Sequence, residues 1–89
     1  MENQNGGFFV YVLESERTGR KYTGSTANLE RRLGEHNRGE TRSTRGKGPW
    51  KVVHQESFGT REEAEKREKY LKSGAGREKL ERILGWKNS

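Results

Sequence analysis

Five side chains in this 89-residue sequence are of types that act on protons, anions and cations. Tyr11 and Tyr22 carry phenols, Arg32 a permanent positive charge, His36 an imidazole and Glu68 a carboxylate. An arginine can stabilise negative charge as it develops on an oxygen. A single carboxylate can hold magnesium, which commonly takes one carboxylate, several waters and substrate phosphate oxygens. A phenol has an ordinary pKa of about 10 and is a poor base at neutral pH. A neighbouring arginine and a bound metal would lower that pKa and let the phenol accept a proton. Each residue also has a plain structural reading. A strand tyrosine fills a core, Arg32 is a charge on a helix flank, and His36 is a helix-end residue favoured by the macrodipole.

Helix geometry selects among the many charges. Successive residues turn by about 100°. Over residues 28–37, Leu29 and Leu33 define a buried stripe. Arg32 and His36, four residues apart, fall beside it, while Arg31 points to nearly the opposite side. Over residues 61–73, Ala64 and Leu71 mark the core stripe, and Glu68 lies about 40° from Ala64 on the same wheel. A carboxylate aimed inward needs a partner. Arg67 or Arg32 is the plain choice, and a divalent metal the functional one.

The elements that must position these groups follow from pattern. Residues 8–13 form a short apolar run with β-branched and aromatic residues, which predicts a strand covered on both faces. Residues 14–20 contain Gly19 and read as a turn, and residues 21–25 as a second strand. Pairing Leu13 with Arg20 would set Tyr11 opposite Tyr22. Thr26 or Asn28 can cap the first helix. Residues 50–58, after Pro49, form a third strand. Thr60 caps a helix over residues 61–73, with Glu63 three positions on. Residues 74–76 are expected to break it before a last short helix over 77–84. The fold class expected is α/β in the α+β sense, a small three-stranded antiparallel sheet flanked by helices in the order β-β-α-β-α-α. Residues 1–7 read as a polar, disordered lead and residues 8–85 as one domain.

Composition bounds the partners. Hydrophobic residues make up 26% of the chain and charged residues 36%, with a formal net charge of +6. The apolar residues cluster instead of scattering, so the pattern is that of a folded domain with a small core. The positive charge suits an anionic partner such as nucleic acid. No basic helix has the broad apolar face that a membrane surface would need. The chain has no cysteine, which excludes disulfides, thiolate zinc sites and cysteine nucleophiles. His36 and His54 are not at metal-motif spacing. No apolar stretch approaches transmembrane length, and the start lacks the regions of a signal peptide, so a cytoplasmic location is expected. Residues 38–51 set Arg38, Arg42, Arg45, Lys47 and Lys51 against Glu40, with Gly, Ser and Thr between them. Arg38, Arg42, Arg45 and Lys47 are therefore candidate phosphate contacts.

The triplet Phe9-Val10-Tyr11, the triplet Tyr22-Thr23-Gly24, the segment Asn28-Leu29-Glu30-Arg31-Arg32-Leu33 and the stretch from Glu63 through Glu68 to Lys72 together resemble the GIY-YIG nuclease family. The resemblance runs from about residue 9 to about residue 84. It is strongest to small stand-alone members, which are similar to the N-terminal catalytic module of the UvrC-like excision-repair nucleases. It implies hydrolysis of a DNA phosphodiester with one divalent metal, Mg2+ or Mn2+, and no covalent intermediate. Glu68 would hold the metal, Tyr11, with or without Tyr22, would deprotonate water, and Arg32 would stabilise phosphoryl charge. His36 would add a hydrogen bond or share the proton transfer. Ser25 stands where some members carry lysine. Two rivals follow from the same residues. One is a nucleic-acid-binding module that keeps the fold without cutting. The other is an interaction domain in which Arg32 and Glu68 form a simple ion pair. The partner expected is DNA, with RNA left open, and a homodimer or partner protein would be needed to cut both strands.

Overall fold

The computed structural model describes residues 7–85. Apart from Gly7, the lead expected at residues 1–7 lies outside the described residues. Three strands, β1 (Phe8–Ser15), β2 (Lys21–Thr26) and β3 (Trp50–Phe58), form one antiparallel sheet in the order β2-β1-β3. Three helices, α1 (Leu29–Asn37), α2 (Arg61–Lys72) and α3 (Gly74–Leu84), complete the order β-β-α-β-α-α.

β1 is central, and its apolar run lets it bury both faces. Val10 and Val12 point to one side and meet Ala64 and Leu71 of α2 and Leu80 of α3. Tyr11 and Leu13 point to the other and meet Trp50, with Leu29 and Leu33 of α1 packed against them. The sheet therefore splits the core in two, with α2 and α3 covering one half and α1 the other. Each fully buried aliphatic side chain contributes about 1.5–3 kcal/mol.

The β1–β2 register differs from the expected one by two residues. Leu13 faces Tyr22, and Tyr11 faces Gly24. Ser15 is the cause. Its backbone N–H donates to the Arg20 carbonyl at 2.8 Å, and its carbonyl accepts from Gly19 at 2.9 Å. Its Oγ accepts from the N–H groups of Arg17 and Thr18 at 3.1 and 2.9 Å and donates to the Lys47 carbonyl at 2.6 Å. The turn is thereby confined to residues 16–19, with Gly19 at φ 78°. A two-residue shift keeps every side chain on its face, so both phenols still share one side of the sheet.

Asn28 caps α1, accepting from the Arg31 N–H at 3.0 Å, while Thr26 Oγ1 accepts from the N–H of Asn28. Thr60 caps α2 by accepting from the Glu63 N–H at 3.2 Å. The break expected at residues 74–76 is confined to Ser73. Ser73 closes α2, and its Oγ accepts from the Gly76 N–H at 3.3 Å to cap α3. Gly74 and Gly76 belong to the helix that follows. A serine cap suffices to redirect the chain, and the small residues let the first turn of α3 lie against the last turn of α2.

Candidate active site

The site is built around the Tyr11 phenol. Tyr11 is 1% exposed, and its ring lies over Gly24 across the β1–β2 pair. A Cβ at position 24 would stand 2.6 Å from the Tyr11 hydroxyl oxygen and 2.8 Å from its ring carbon. Glycine at the end of the second triplet is thus what gives the phenol its place. Gly24→Ala is expected to displace the ring and break its contact with His36, which a change in the Tyr11 and His36 ring signals by NMR checks.

α1 supplies the groups that contact this phenol. His36 is also 1% exposed, and its Nε2 lies 3.0 Å from the Tyr11 oxygen. Its Nδ1 lies 2.8 Å from Thr44 Oγ1, and Thr44 is equally buried. Burial, and then the Arg32 charge, lower the His36 pKa from its ordinary value, so the imidazole is neutral at pH 7. His36 does sit in the last turn of α1, but as a buried ring and not as a solvated helix-end charge. The Arg32 charge acts on the Tyr11 phenol, and its guanidinium is held by Glu35 at 2.8 Å. Its side chain is 36% exposed, so one flank of the guanidinium stays open, whereas Arg31 is 70% exposed. Tyr22 completes the cluster, its ring centroid 6.3 Å from that of Tyr11 and 4.9 Å from that of His36.

Arg32 by itself does not bring the phenol pKa below its ordinary value. Burial pushes Tyr11 up to about 12, and Arg32 acts in the opposite direction without prevailing. An enclosed phenol with a neutral imidazole at its oxygen keeps its proton.

Glu68 approaches from the other side of β2. Ser25 pairs with Val10 and so shares the face covered by α2. Its hydroxyl donates to Glu68 Oε1 at 2.6 Å, and Lys72 Nζ donates to Oε2 at 2.8 Å. Burial raises the Glu68 pKa, but the hydrogen bonds from Lys72 and Ser25 and the Lys72 charge outweigh it, and the net shift is downward. The arginine partners expected for Glu68 are engaged elsewhere. Arg67 grips Glu56 of β3 through two hydrogen bonds of 2.7 and 3.1 Å, and Arg32 takes Glu35. An Arg32–Glu68 ion pair, the hallmark of the interaction-domain reading, is not formed. Ser25 lies next to Gly24 in the edge strand β2, and the Glu68 charge is felt at the Tyr11 phenol. Phenols and carboxylate thus flank one short strand from its two faces.

The loop over residues 38–48 carries the other candidates. Arg38, Arg42 and Arg45 are exposed and Lys47 is half-buried. Arg38 is paired with Glu40 at 2.7 Å. The loop is anchored beneath its charges. Thr44 reaches His36, the Trp50 indole N–H donates to the Thr44 carbonyl at 3.2 Å, and Asn37 Oδ1 accepts from the Trp50 N–H at 2.6 Å. Thr44 has no place in the sequence reading, and Ser25 enters it only as a position where some members of the resembled family carry lysine, because single hydroxyl residues carry no periodic signal. Lys72 was detectable, being four residues after Glu68 on one helix. Among the described residues no group of three His, Cys, Asp or Glu side chains could hold a metal. No helix of these residues is long and apolar enough to cross a membrane.

Residues 7–81 match the family model described as the GIY-YIG catalytic domain. The chain is 42% identical over 76 residues to a UPF0213 protein of Clostridium perfringens, covering 84% of this chain and 81% of the relative. It is 44% identical over 78 residues to one from Natronomonas pharaonis, covering 85% and 88%. Among solved structures, the solution NMR structure of a UPF0213 protein from Bacillus halodurans superposes with a TM-score of 0.54 at 35% identity, covering 89% of this chain and 86% of that one.

Proposed function

The chain belongs to the GIY-YIG catalytic-domain family, and from that premise we propose that it is a metal-dependent endonuclease hydrolysing DNA phosphodiester bonds in repair or recombination. The observation that carries this reading is the buried Tyr11 phenol, hydrogen-bonded to His36 Nε2 and sensing the Arg32 charge on one side of β2 and Glu68 on the other.

The donor set fits one hydrated cation better than a protein cage. Glu68 is held ionised, its side chain is 21% exposed, and water and substrate phosphate would supply the remaining ligands. When bound, Mg2+ or Mn2+ supplies Lewis-acid stabilisation of the phosphoryl and leaving oxygens. The chain's own residues do the rest. Tyr11 takes a proton from the attacking water as its own hydroxyl proton passes to His36 Nε2. Hydroxide attacks phosphorus, the P–O bond to the leaving sugar oxygen breaks and that oxygen takes a proton from solvent, while the imidazole holds the proton from the attacking water as imidazolium. Arg32, fixed by Glu35, stabilises charge on the phosphoryl oxygens. Tyr22 packs against the imidazole with its ring tilted by 58° and limits its rotation.

A binding module without activity is the second reading, and the Lys72 ammonium already on Glu68 Oε2 is the observation in its favour. A panel of labelled duplex, branched, single-stranded and RNA substrates, with and without Mg2+ or Mn2+, separates the two. Cleavage of a DNA member that requires the ion is expected. Binding with no cleavage under any condition would leave the module reading. In the same panel affinity should fall steeply with added salt. Replacing Arg42 and Arg45 together by alanine should reduce the slope of log affinity against log salt by about two.

A further inference from the structure

Thr44 is a threonine in a polar loop, yet it is 1% exposed, and its hydroxyl meets the one ring nitrogen of His36 that does not face Tyr11. Donors and acceptors around this group fix the directions of its hydrogen bonds. A neutral imidazole has one N–H and one lone pair. If the N–H were on Nε2, it would point at the Tyr11 oxygen and itself fill that contact. The Tyr11 hydroxyl hydrogen, buried, would then have no acceptor among the described residues. Placing the N–H on Nδ1 resolves every group. Tyr11 donates to Nε2. Nδ1–H donates to Thr44 Oγ1, and the Thr44 hydroxyl donates on to the Thr41 carbonyl, a longer bond of 3.4 Å.

We infer that Thr44 sets the tautomer of His36, keeping the Nε2 lone pair aimed at the Tyr11 hydroxyl, and so makes the cationic loop part of the proton-accepting unit. Thr44 is a positioning residue, since it acts through His36. Its backbone is fixed in turn by the Trp50 indole, which donates to the Thr44 carbonyl. Contacts made by the neighbouring Arg42 and Arg45 are thereby one or two residues from the group that orients the imidazole. The catalytic consequence rests on the phosphodiester-hydrolysis reading, whereas the tautomer itself does not.

The test is therefore spectroscopic first. The chain has two histidines, so His54→Gln leaves His36 as the sole imidazole signal. In protein labelled with 15N at the ring, NMR should show the proton on Nδ1 and a bare Nε2 at neutral pH. Thr44→Ser should keep this state, and Thr44→Val should shift the proton toward Nε2. A wild-type ring protonated at Nε2, or a Thr44→Val ring unchanged from wild type, overturns the inference. If Thr44→Val does not fold, the wild-type and Thr44→Ser spectra decide it. Once a cleaved substrate is in hand, Thr44→Val should lower kcat about tenfold to a hundredfold with KM little changed, and Thr44→Ser should restore it. Equal kcat in Thr44→Val and wild type removes the positioning role even where the nuclease reading stands.

Discussion

Replacing Glu68 by glutamine is expected to lower cleavage by about a thousandfold or more while leaving nucleic-acid affinity and thermal stability near wild type. The amide keeps the size of the side chain and can still accept from Ser25, so the α2–β2 contact persists. It loses the negative charge that a divalent cation needs. A cation's Lewis-acid role is worth several kcal/mol, and about 4 kcal/mol is a thousandfold in rate. Glu68 is partly exposed and its neighbour Lys72 half-exposed, so freeing that ammonium to water is mild. Two measurements check the expectation: single-turnover cleavage in Mg2+ or Mn2+, and direct titration of Mn2+ into the protein. A glutamine variant that cuts at the wild-type rate would remove Glu68 from the mechanism. One that loses cleavage and also unfolds would show that the carboxylate acts on the fold.

The second large effect is on stability. Gly76→Ala should destabilise the domain by about 3 kcal/mol or more, at the upper end of overpacking effects. The new Cβ would collide with the Tyr70 carbonyl oxygen and lie 2.5 Å from Leu71 Cα and 2.7 Å from the Tyr70 carbonyl carbon. These are backbone atoms of the last turn of α2, with no flexible side-chain end to yield. Relief requires α3 to swing away, which withdraws Leu80 from the core it shares with Leu71, Val10 and Val12. A domain of this length is stable by only about 4–13 kcal/mol. The melting temperature should therefore fall by about 12–24 °C. A melting temperature within a few degrees of wild type would mean that the two helices are not in such close contact. Gly74→Ala is the matched comparison, since a Cβ there meets nothing within 4 Å.

Much of this architecture is legible in the residues, and what is not has physical causes. The run from Phe8 to Leu13 has the composition of a strand buried twice over, and the fold buries it so. The caps Asn28 and Thr60 sit where side-chain oxygens can take up free helix N–H groups. The wheel separates Arg32 from Arg31 because a helix has a fixed turn per residue. The strand register escaped because it is set by the turn, and the turn is set by Ser15, whose hydroxyl is satisfied by the distant Lys47 carbonyl. Such a contact has no trace in local sequence. The partners of Glu68 escaped in part for the same reason, since Ser25 lies 43 positions away. The rise of the Tyr11 pKa escaped because it depends on how completely one ring is enclosed. A wheel or an alternation pattern says which way a side chain points and nothing of how tightly it is sealed.

The division of the interior by the sheet has a consequence for how such a protein can change. The guanidinium, the imidazole and the cationic loop belong to the half roofed by α1, whereas the carboxylate belongs to the half roofed by α2 and α3. The two communicate across a single peripheral strand. On the proposed reading, insertions or substitutions in the loop would alter which nucleic acid is gripped without disturbing the residues that seat the ion, and the reverse would hold for the two later helices. Target choice and ion capture would in that sense be separately adjustable parts, joined at a glycine too small to interfere with either.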